Sequence, residues 1–458
     1  MTREALWDNM KSKKPLNIHG IIGIAVLVVA QVMLFKRVEP FVSWFYGFAW
    51  WSYILIVDSI IYRLKGDSLI LSRTREFFLM VCWSFTLWFF FEMVNLVMRN
   101  WYYINVPNST LVRFFGYGMS YGTVLPALFE TTELLERLGL FRNAPAPRFR
   151  MTSRWSVAFL TMGGLFLVLP MLIPRYTFPL IWGSFIFLLE PINYRFGGRS
   201  LLAQWERGSL RTFYVLLVSG LICGGLWEFW NFWARTKWVY TVPFFDELKL
   251  FEMPLLGFLG FPPFVVECYV IYNFISLFRH GRGWQQDAYR LHLERKTSRG
   301  LKLITILGMA LFYIVSTRAV DRHTIHSTVP LLDNFPHLSV NERDELKGLR
   351  IATAWDLVDR TRRQEEYERV LTKLGFPSDR FAELVRQARL ITLKGLGIDS
   401  FLSLQEIGIE SVEMLAQQNP EGLHDKLERL MDSGSQTRLP SRAETSIWIR
   451  EARRRRNR

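Results

Sequence analysis

Histidine and cysteine are scarce in this chain, with seven and three residues in 458. Cys82, Cys223 and Cys268 all fall inside apolar runs and none has a C-x-x-C partner, so neither a disulfide framework nor a zinc site is suggested. No histidine lies deep in an apolar run, and His19 sits near the edge of one. That argues against histidine-box diiron hydroxylase or desaturase chemistry. No G-x-x-x-x-G-K-[ST] phosphate loop occurs, which leaves an ATP-driven pump unsupported. The run GYGMSYG at 116–122 is interrupted by bulky residues and reads as close helix packing rather than a nucleotide cradle. Neither a cofactor nor a metal is expected.

Apolar and aromatic residues are abundant. Half of the chain is hydrophobic, with 17 Trp and 37 Phe. A helix needs about 20 apolar residues to cross a bilayer. Runs near 17–35, 41–63, 76–98, 111–136, 155–173, 177–196, 211–233, 250–279 and 301–319 predict about nine spans. The first follows Lys11, Lys13 and Lys14 without a small-residue cleavage site, and reads as a retained helix. Stretches 63–75, 137–154, 195–211 and 279–302 are rich in Arg and Lys, whereas the intervening connectors carry Trp101, Tyr102, Tyr103, Trp238 and Tyr240. By the positive-inside rule the N-terminus is cytoplasmic, and nine spans place the C-terminus outside a cell (inner) membrane. The net charge of +15 then follows from cytoplasmic loops and does not require nucleic acid.

The chain also repeats itself. WWSYILIVDSIIYRLKGDSL from Trp50 matches WGSFIFLLEPINYRFGGRSL from Trp182, 132 residues on. The match pairs Trp50 with Trp182, Ser52 with Ser184, Asp58 with Glu190, Gly66 with Gly198 and Ser68 with Ser200. With small shifts Glu92 pairs with Glu228, Asn95 with Asn231 and Arg99 with Arg235. Trp101-x-Tyr103 then matches Trp238-x-Tyr240, and Pro126-x-x-x-Glu130 matches Pro263-x-x-x-Glu267. Each copy holds four helices, an even number that keeps both in one orientation, with an axis along the membrane normal and a shared cavity. The expected architecture is an all-α polytopic bundle: repeats at 1–140 and 141–280, a loop and ninth helix at 281–320, and a soluble helical domain at 321–458.

The duplicated polar positions are mostly acidic. A carboxylate in hydrocarbon is costly, so Glu92, Glu228, Glu130 and Glu267 are expected to face the bundle interior, to find partners or to stay protonated. A neutral acid in a dry aromatic pocket is a proton donor in waiting. Glu92 and Asn95 share a helix face, as do Glu228 and Asn231, so each Asn could orient its carboxyl neighbour. Asp58 and Glu190 form a secondary acidic pair, each five residues from Arg63 or Arg195, and ion pairing at helix ends is the blander alternative for both. The Trp-Tyr loops have a bland alternative too, as an interfacial aromatic belt.

The stretches LWEFWNFWARTKWVYTVP at 226–243 and FPPFVVECYV at 261–270 resemble the membrane-embedded lycopene cyclases and related carotenoid-modifying proteins. Weaker copies lie at 90–107 and 125–134. The family's proline segment reads P-x-E-E, whereas this chain reads P-x-x-x-E twice. The resemblance implies cofactor-free, redox-neutral chemistry on a long polyene. An acid protonates a terminal double bond, the cation closes a ring or is captured, and a base removes a proton. Trp88, Phe91, Trp227, Trp230 and Trp233 could face such a cation, each ring contributing about 0.5–2 kcal/mol.

Beyond Val320 the composition turns to mixed charge with helical periodicity. A shift of 58 residues pairs Leu346, Leu349, Ile351 and Thr353 with Leu404, Ile407, Ile409 and Ser411. GLGIDSFLSLQEIGIESVEMLAQQNPEGL resembles tandem helix-hairpin-helix domains, with Gly395-Leu396-Gly397 as a hairpin. Such modules often hold DNA phosphates, with Lys394 placed to assist, but a domain outside the membrane does not meet the chromosome. A protein partner is the better expectation. The tail Arg453–Arg456 is suited to anionic lipid headgroups.

Three functions fit: an enzyme acting on a carotenoid or isoprenoid by proton transfer, a proton- or cation-coupled transporter using the same acids, or a scaffold presenting the hairpin domain. The expected partners are the bilayer and a lipophilic small molecule.

Overall fold

The computed structural model describes residues 15–244, 248–285, 299–335, 338–432 and 438–456. The contacts divide the chain into two units. The first comprises Met1–Asn100, Phe114–Ala234 and Val242–Arg322; the second comprises Trp101–Arg113, Arg235–Thr241 and His323–Arg458.

In the first unit the apolar runs become helices. These are α1 (Ile18–Phe35), α2 (Phe45–Lys65), α3 (Thr74–Met98), α4 (Thr110–Tyr121), α5 (Val124–Arg137) and α6 (Ser153–Leu172). There follow α7 (Ile181–Arg195), α8 (Leu201–Glu206), α9 (Arg211–Trp233), α10 (Phe261–Leu277) and α11 (Arg299–His323). Asn17 starts α1 by accepting a bond from the Ile18 N–H, and Gly66 ends α2 in the left-handed conformation at φ 74°.

Among the described residues, seven helical stretches are long and apolar enough to cross a membrane. The other two expected runs are helical in shorter pieces. The run at 111–136 breaks at Gly122–Thr123 into α4 and α5, of 12 and 14 residues. Only 15 residues of 177–196 form α7, after a turn at Pro174–Thr177 and a 3₁₀ turn at Phe178–Leu180. Pro174 and Pro179 lack the N–H that a continuous helix would use there.

Helix packing repeats along the unit. α1 packs on α2 and α6 on α7; α2 packs on α5 and α7 on α10; α3 packs on α5 and α9 on α10. Outward faces are apolar: Ile18, Ile22 and Val28 on α1, Val157 and Leu165 on α6, and Ile304, Leu307 and Leu311 on α11 stand exposed. Exposed apolar faces of this extent need a non-aqueous neighbour.

The second unit obeys the opposite rule. Its helices are α12 (Val340–Gly348), α13 (Ala354–Arg360), α14 (Gln364–Leu374), α15 (Ser378–Ile391), α16 (Gly397–Glu406), α17 (Val412–Ala416), α18 (Pro420–Asp432) and α19 (Arg442–Arg456). They close on Leu346, Leu357, Phe381, Leu404, Leu415 and Trp448, all fully buried. Capping boxes at Ser339/Glu342 and Thr353/Asp356 start α12 and α13. The 58-residue match is visible in the backbone: Ile351 N–H donates to Leu346 at 2.9 Å, and Ile409 N–H to Leu404 at 2.8 Å. The residue before each is left-handed, Arg350 at φ 58° and Gly408 at φ 77°. Gly395 and Gly397 turn the chain between α15 and α16 at φ 75° and 70°, and a Cβ on Gly397 would lie 2.7 Å from that of Ser327.

The two Trp-x-Tyr segments are strands of this second unit. β1 (Trp101–Ile104) pairs antiparallel with β2 (Lys237–Tyr240), placing Trp101 opposite Tyr240 and Tyr103 opposite Trp238. The other edge of β1 takes 324–329 in parallel, with His326 N–H donating to Tyr103 at 2.9 Å. Paired in this way, Trp101, Tyr102 and Tyr103 are buried.

Candidate functional site

Of the acids marked by duplication, Glu92, Glu228 and Glu267 are completely buried and Glu130 is 1% exposed. The structure divides them among three surroundings.

Glu92 on α3 and Glu228 on α9 lie in a shell of aromatic rings. The Trp88 indole N–H, one turn before Glu92, donates to its Oε1 at 3.0 Å. Trp88 also touches Trp227, with ring centroids 5.0 Å apart. Trp227 precedes Glu228, and Glu228 lies within electrostatic reach of the Tyr46 hydroxyl. Tyr46 and Trp50 on α2 meet Trp227 edge-on at 6.1 and 6.2 Å. On the other side Phe91 meets Trp182 at 5.3 Å and Phe264 at 5.7 Å.

These contacts are reciprocal. Trp50 of the first copy touches Trp227 of the second, while Trp182 of the second touches Phe91 of the first. Trp50 and Trp182 are duplicates, as are Phe91 and Trp227 by the shift that pairs Glu92 with Glu228. The strand pairing of β1 with β2 has the same property, because each Trp faces the other copy's Tyr.

Asn95 Oδ1 accepts the Asn100 backbone N–H at 2.9 Å, just beyond the end of α3. Any orienting of Glu92 therefore falls to its amide group. Asn231 is fully buried on α9.

Glu267 on α10 sits against α7, accepting the Phe185 backbone N–H at 2.9 Å with Ser184 Oγ at 3.4 Å. Glu130 on α5 lies within electrostatic reach of Asp58, Glu133 and Arg73.

Asp58 and Glu190 hold turns together. Asp58 Oδ1 accepts from Ile70 N–H at 2.8 Å, and Glu190 Oε1 accepts from Leu202 N–H at 2.9 Å. Each acceptor lies twelve residues before its donor, and the second bond falls 132 residues after the first. Ser68 and Ser200 repeat the pattern, their hydroxyls accepting from Leu71 and Ala203 N–H at 3.3 and 3.1 Å. The copies differ beyond this: Ser200 Oγ donates to Glu190 at 2.6 Å, whereas Asp58 Oδ2 lies 3.0 Å from His19 Nε2. His19 has no titratable counterpart in the second copy; Phe159 stands at the equivalent place when Gly23 is set against Gly163.

In the sequence Tyr46 and Phe264 look like any other aromatic in an apolar run. Also unmarked was a charged network beside Glu133, whose carboxylate takes Arg73 Nη2 at 3.0 and 2.9 Å and Lys65 Nζ at 3.2 Å. Its one sequence signal is the cationic loop at 63–75. No cluster of three or more His, Cys, Asp or Glu suited to a metal occurs among the described residues.

Residues 336–455 match a family described as a domain of unknown function, DUF4332. That match covers most of the second unit and none of the helices carrying the buried acids. Neither the curated proteins nor the solved structures contain a match to this chain.

Proposed function

We propose that this chain is a multi-pass protein of the cell (inner) membrane that performs cofactor-free acid–base chemistry on a lipophilic isoprenoid or carotenoid, with Glu92 and Glu228 as the proton-transferring pair. The observation that carries the reading is the burial of both carboxyl groups within one reciprocal aromatic shell. One acid protonates a terminal double bond of the polyene, and the rings of Trp88, Phe91, Trp227 and Trp230 face the resulting cation. The cation closes a ring or takes up water, and the second carboxylate removes a proton. Electrons and protons balance without a redox partner when ring closure is followed by proton loss.

The membrane architecture belongs to the same proposal: about nine spans, two four-helix repeats in one orientation and a further helix. It is supported by the Asp58/Glu190 bonds, the equivalent packing of α1 on α2 and α6 on α7, and the reciprocal shell. The arginine-rich loops support an N-terminus in the cytoplasm and a second unit outside. There the helix-hairpin-helix-like unit meets a protein partner rather than nucleic acid.

A second reading, a non-catalytic scaffold, is favoured by the close edge-on packing of the rings, with Trp50 and Trp230 centroids 4.8 Å apart. Pigment analysis separates the two. In a host accumulating acyclic carotenoid, the wild-type chain yields a cyclised or hydrated product and Glu228→Gln yields none. An unchanged profile with folded, membrane-inserted protein defeats the carotenoid reading. Proton flux in liposomes that is lost with Glu228→Gln would move the same acids to a transporter.

A further inference from the structure

The helix ends that carry the arginine-rich loops border an open cavity of about 240 Å³ lined by Lys65, Arg73, Arg137, Arg211, Glu133 and Glu136, together with Trp284 and Gln285. We infer that this cavity binds a phosphate group, carried by an anionic phospholipid headgroup or by a free phosphate or diphosphate.

Charge is the first reason. Four cations face two carboxylates across the lining. Asp67, which reaches Lys65 at 2.9 Å and Arg73 at 3.5 Å from outside the lining, still leaves the cations in excess. Arg211 donates to backbone carbonyls, Glu136 at 2.8 Å and Leu140 at 3.2 Å, neutral acceptors that leave its charge uncancelled. Arg137 is exposed at the rim, with Glu136 as its charged neighbour. Guanidinium forks match the paired oxygens of phosphate, and lysine adds a point charge.

An orphaned donor is the second and independent reason. Trp284 is 1% exposed, yet its indole Nε1 has no hydrogen-bond partner among the described residues. Its ring is fixed, stacked on Phe129 with centroids 5.0 Å apart and planes 10° apart, and its backbone oxygen accepts from Arg73. Trp284 lines the cationic cavity, and its buried indole N–H calls for an acceptor oxygen, which a phosphate supplies. The site is separate from the aromatic shell around Glu92 and Glu228, and it stands whether or not the chain is an enzyme.

The test uses the full chain purified in zwitterionic detergent. Thermal unfolding with and without inorganic diphosphate reads the free anion. Native mass spectrometry from nanodiscs of phosphatidylcholine with or without phosphatidylglycerol reads the headgroup. At least one probe binds, binding weakens with added salt, and Arg137→Gln and Trp284→Phe each weaken it about tenfold, the change that one lost charge-assisted contact makes. Trp284→Phe keeps the stacked ring, so the loss is not a failure to fold. Diphosphate alone identifies a free phosphate, and phosphatidylglycerol alone identifies a lipid. No binding by either probe, or binding that both variants leave unchanged, overturns the assignment.

Discussion

In the first unit Glu92, Glu228 and Glu267 have no exposed surface while Ile18 is 71% exposed and Leu307 61%. In the second, Leu346, Phe381 and Trp448 have none, and the charged residues lie mostly at the surface. Both units are helical, so secondary structure does not explain the contrast. The solvent does. Next to lipid an apolar side chain gains nothing by being inside, and acids must be taken up by indole, hydroxyl or backbone donors. In water, helices are held by burial of an apolar stripe and by their caps.

One acid of the second unit breaks this division. Glu444 is 1% exposed and is held by His326 Nδ1 at 2.8 Å, by Arg438 at 2.8 and 3.1 Å, and by the N–H and hydroxyl of Ser441. Burial alone would push its pKa up; His326 and Arg438 outweigh that and hold it well below the usual carboxylate range. Burial also pushes His326 below its ordinary value, against the pull of Glu444. His326 stacks on Tyr102 at 4.1 Å, tying β1 to α19.

The contrast can be broken most forcefully here. Glu444→Gln leaves His326 and Arg438 without their buried partner and should cost about 3 kcal/mol, read as a drop in the unfolding temperature of the full chain. The pH dependence has a definite sign. Both groups bind protons more weakly folded than unfolded, so their stabilisation is present above about pH 6.5 for His326 and about 4.3 for Glu444, and is lost as the pH falls below each. Glu444→Gln should remove the decline below about pH 4.3 and deepen the one below about pH 6.5, because Glu444 is what pulls the His326 pKa up.

Close helix contacts should matter next, and equally in both copies. A Cβ on Gly23 would lie 2.8 Å from the Ser52 carbonyl oxygen, and one on Gly163 2.9 Å from that of Ser184. Gly23→Val and Gly163→Val should each destabilise the membrane unit by about 1–3 kcal/mol, read by thermal unfolding in detergent. A large loss at one glycine and none at the other would break the equivalence of the copies.

A smaller effect should follow from Arg235, whose guanidinium lies 4.7 Å from the Trp355 ring centre and bonds Asp359 at 2.8 Å. Arg235→Lys keeps the charge but loses the planar stack, and should cost about 1 kcal/mol. Ser339→Ala removes the cap of α12 and should cost about 1 kcal/mol or slightly less. Chemical denaturation followed by tryptophan fluorescence resolves both.

The apolar runs and the duplication were legible because both are regular patterns. Trp50, Trp182, Glu92 and Glu228 could be marked from the match alone, and they lie in one shell. Where the helices break was harder to see, since α4 and α5 part at a Gly-Thr step inside a run that stays apolar. The Trp-x-Tyr segments were legible as a repeat but not as strands: four residues carry no periodicity, and their partners lie more than a hundred residues away. The phosphate cavity was invisible for a similar reason. Arg73 and Trp284 meet across 211 residues, and nothing local to either announces the other.

Whether Glu92 and Glu228 act together as one proton-transfer site is read from the turnover of Glu92→Gln, Glu228→Gln and the double variant. Product formation from acyclic carotenoid in membranes should fall about 100-fold or more in each single variant, and the double variant should be no worse, because the two acids serve one reaction. Wild-type turnover in either single variant, with the protein folded and inserted, would mean that the two acids do not form one such site.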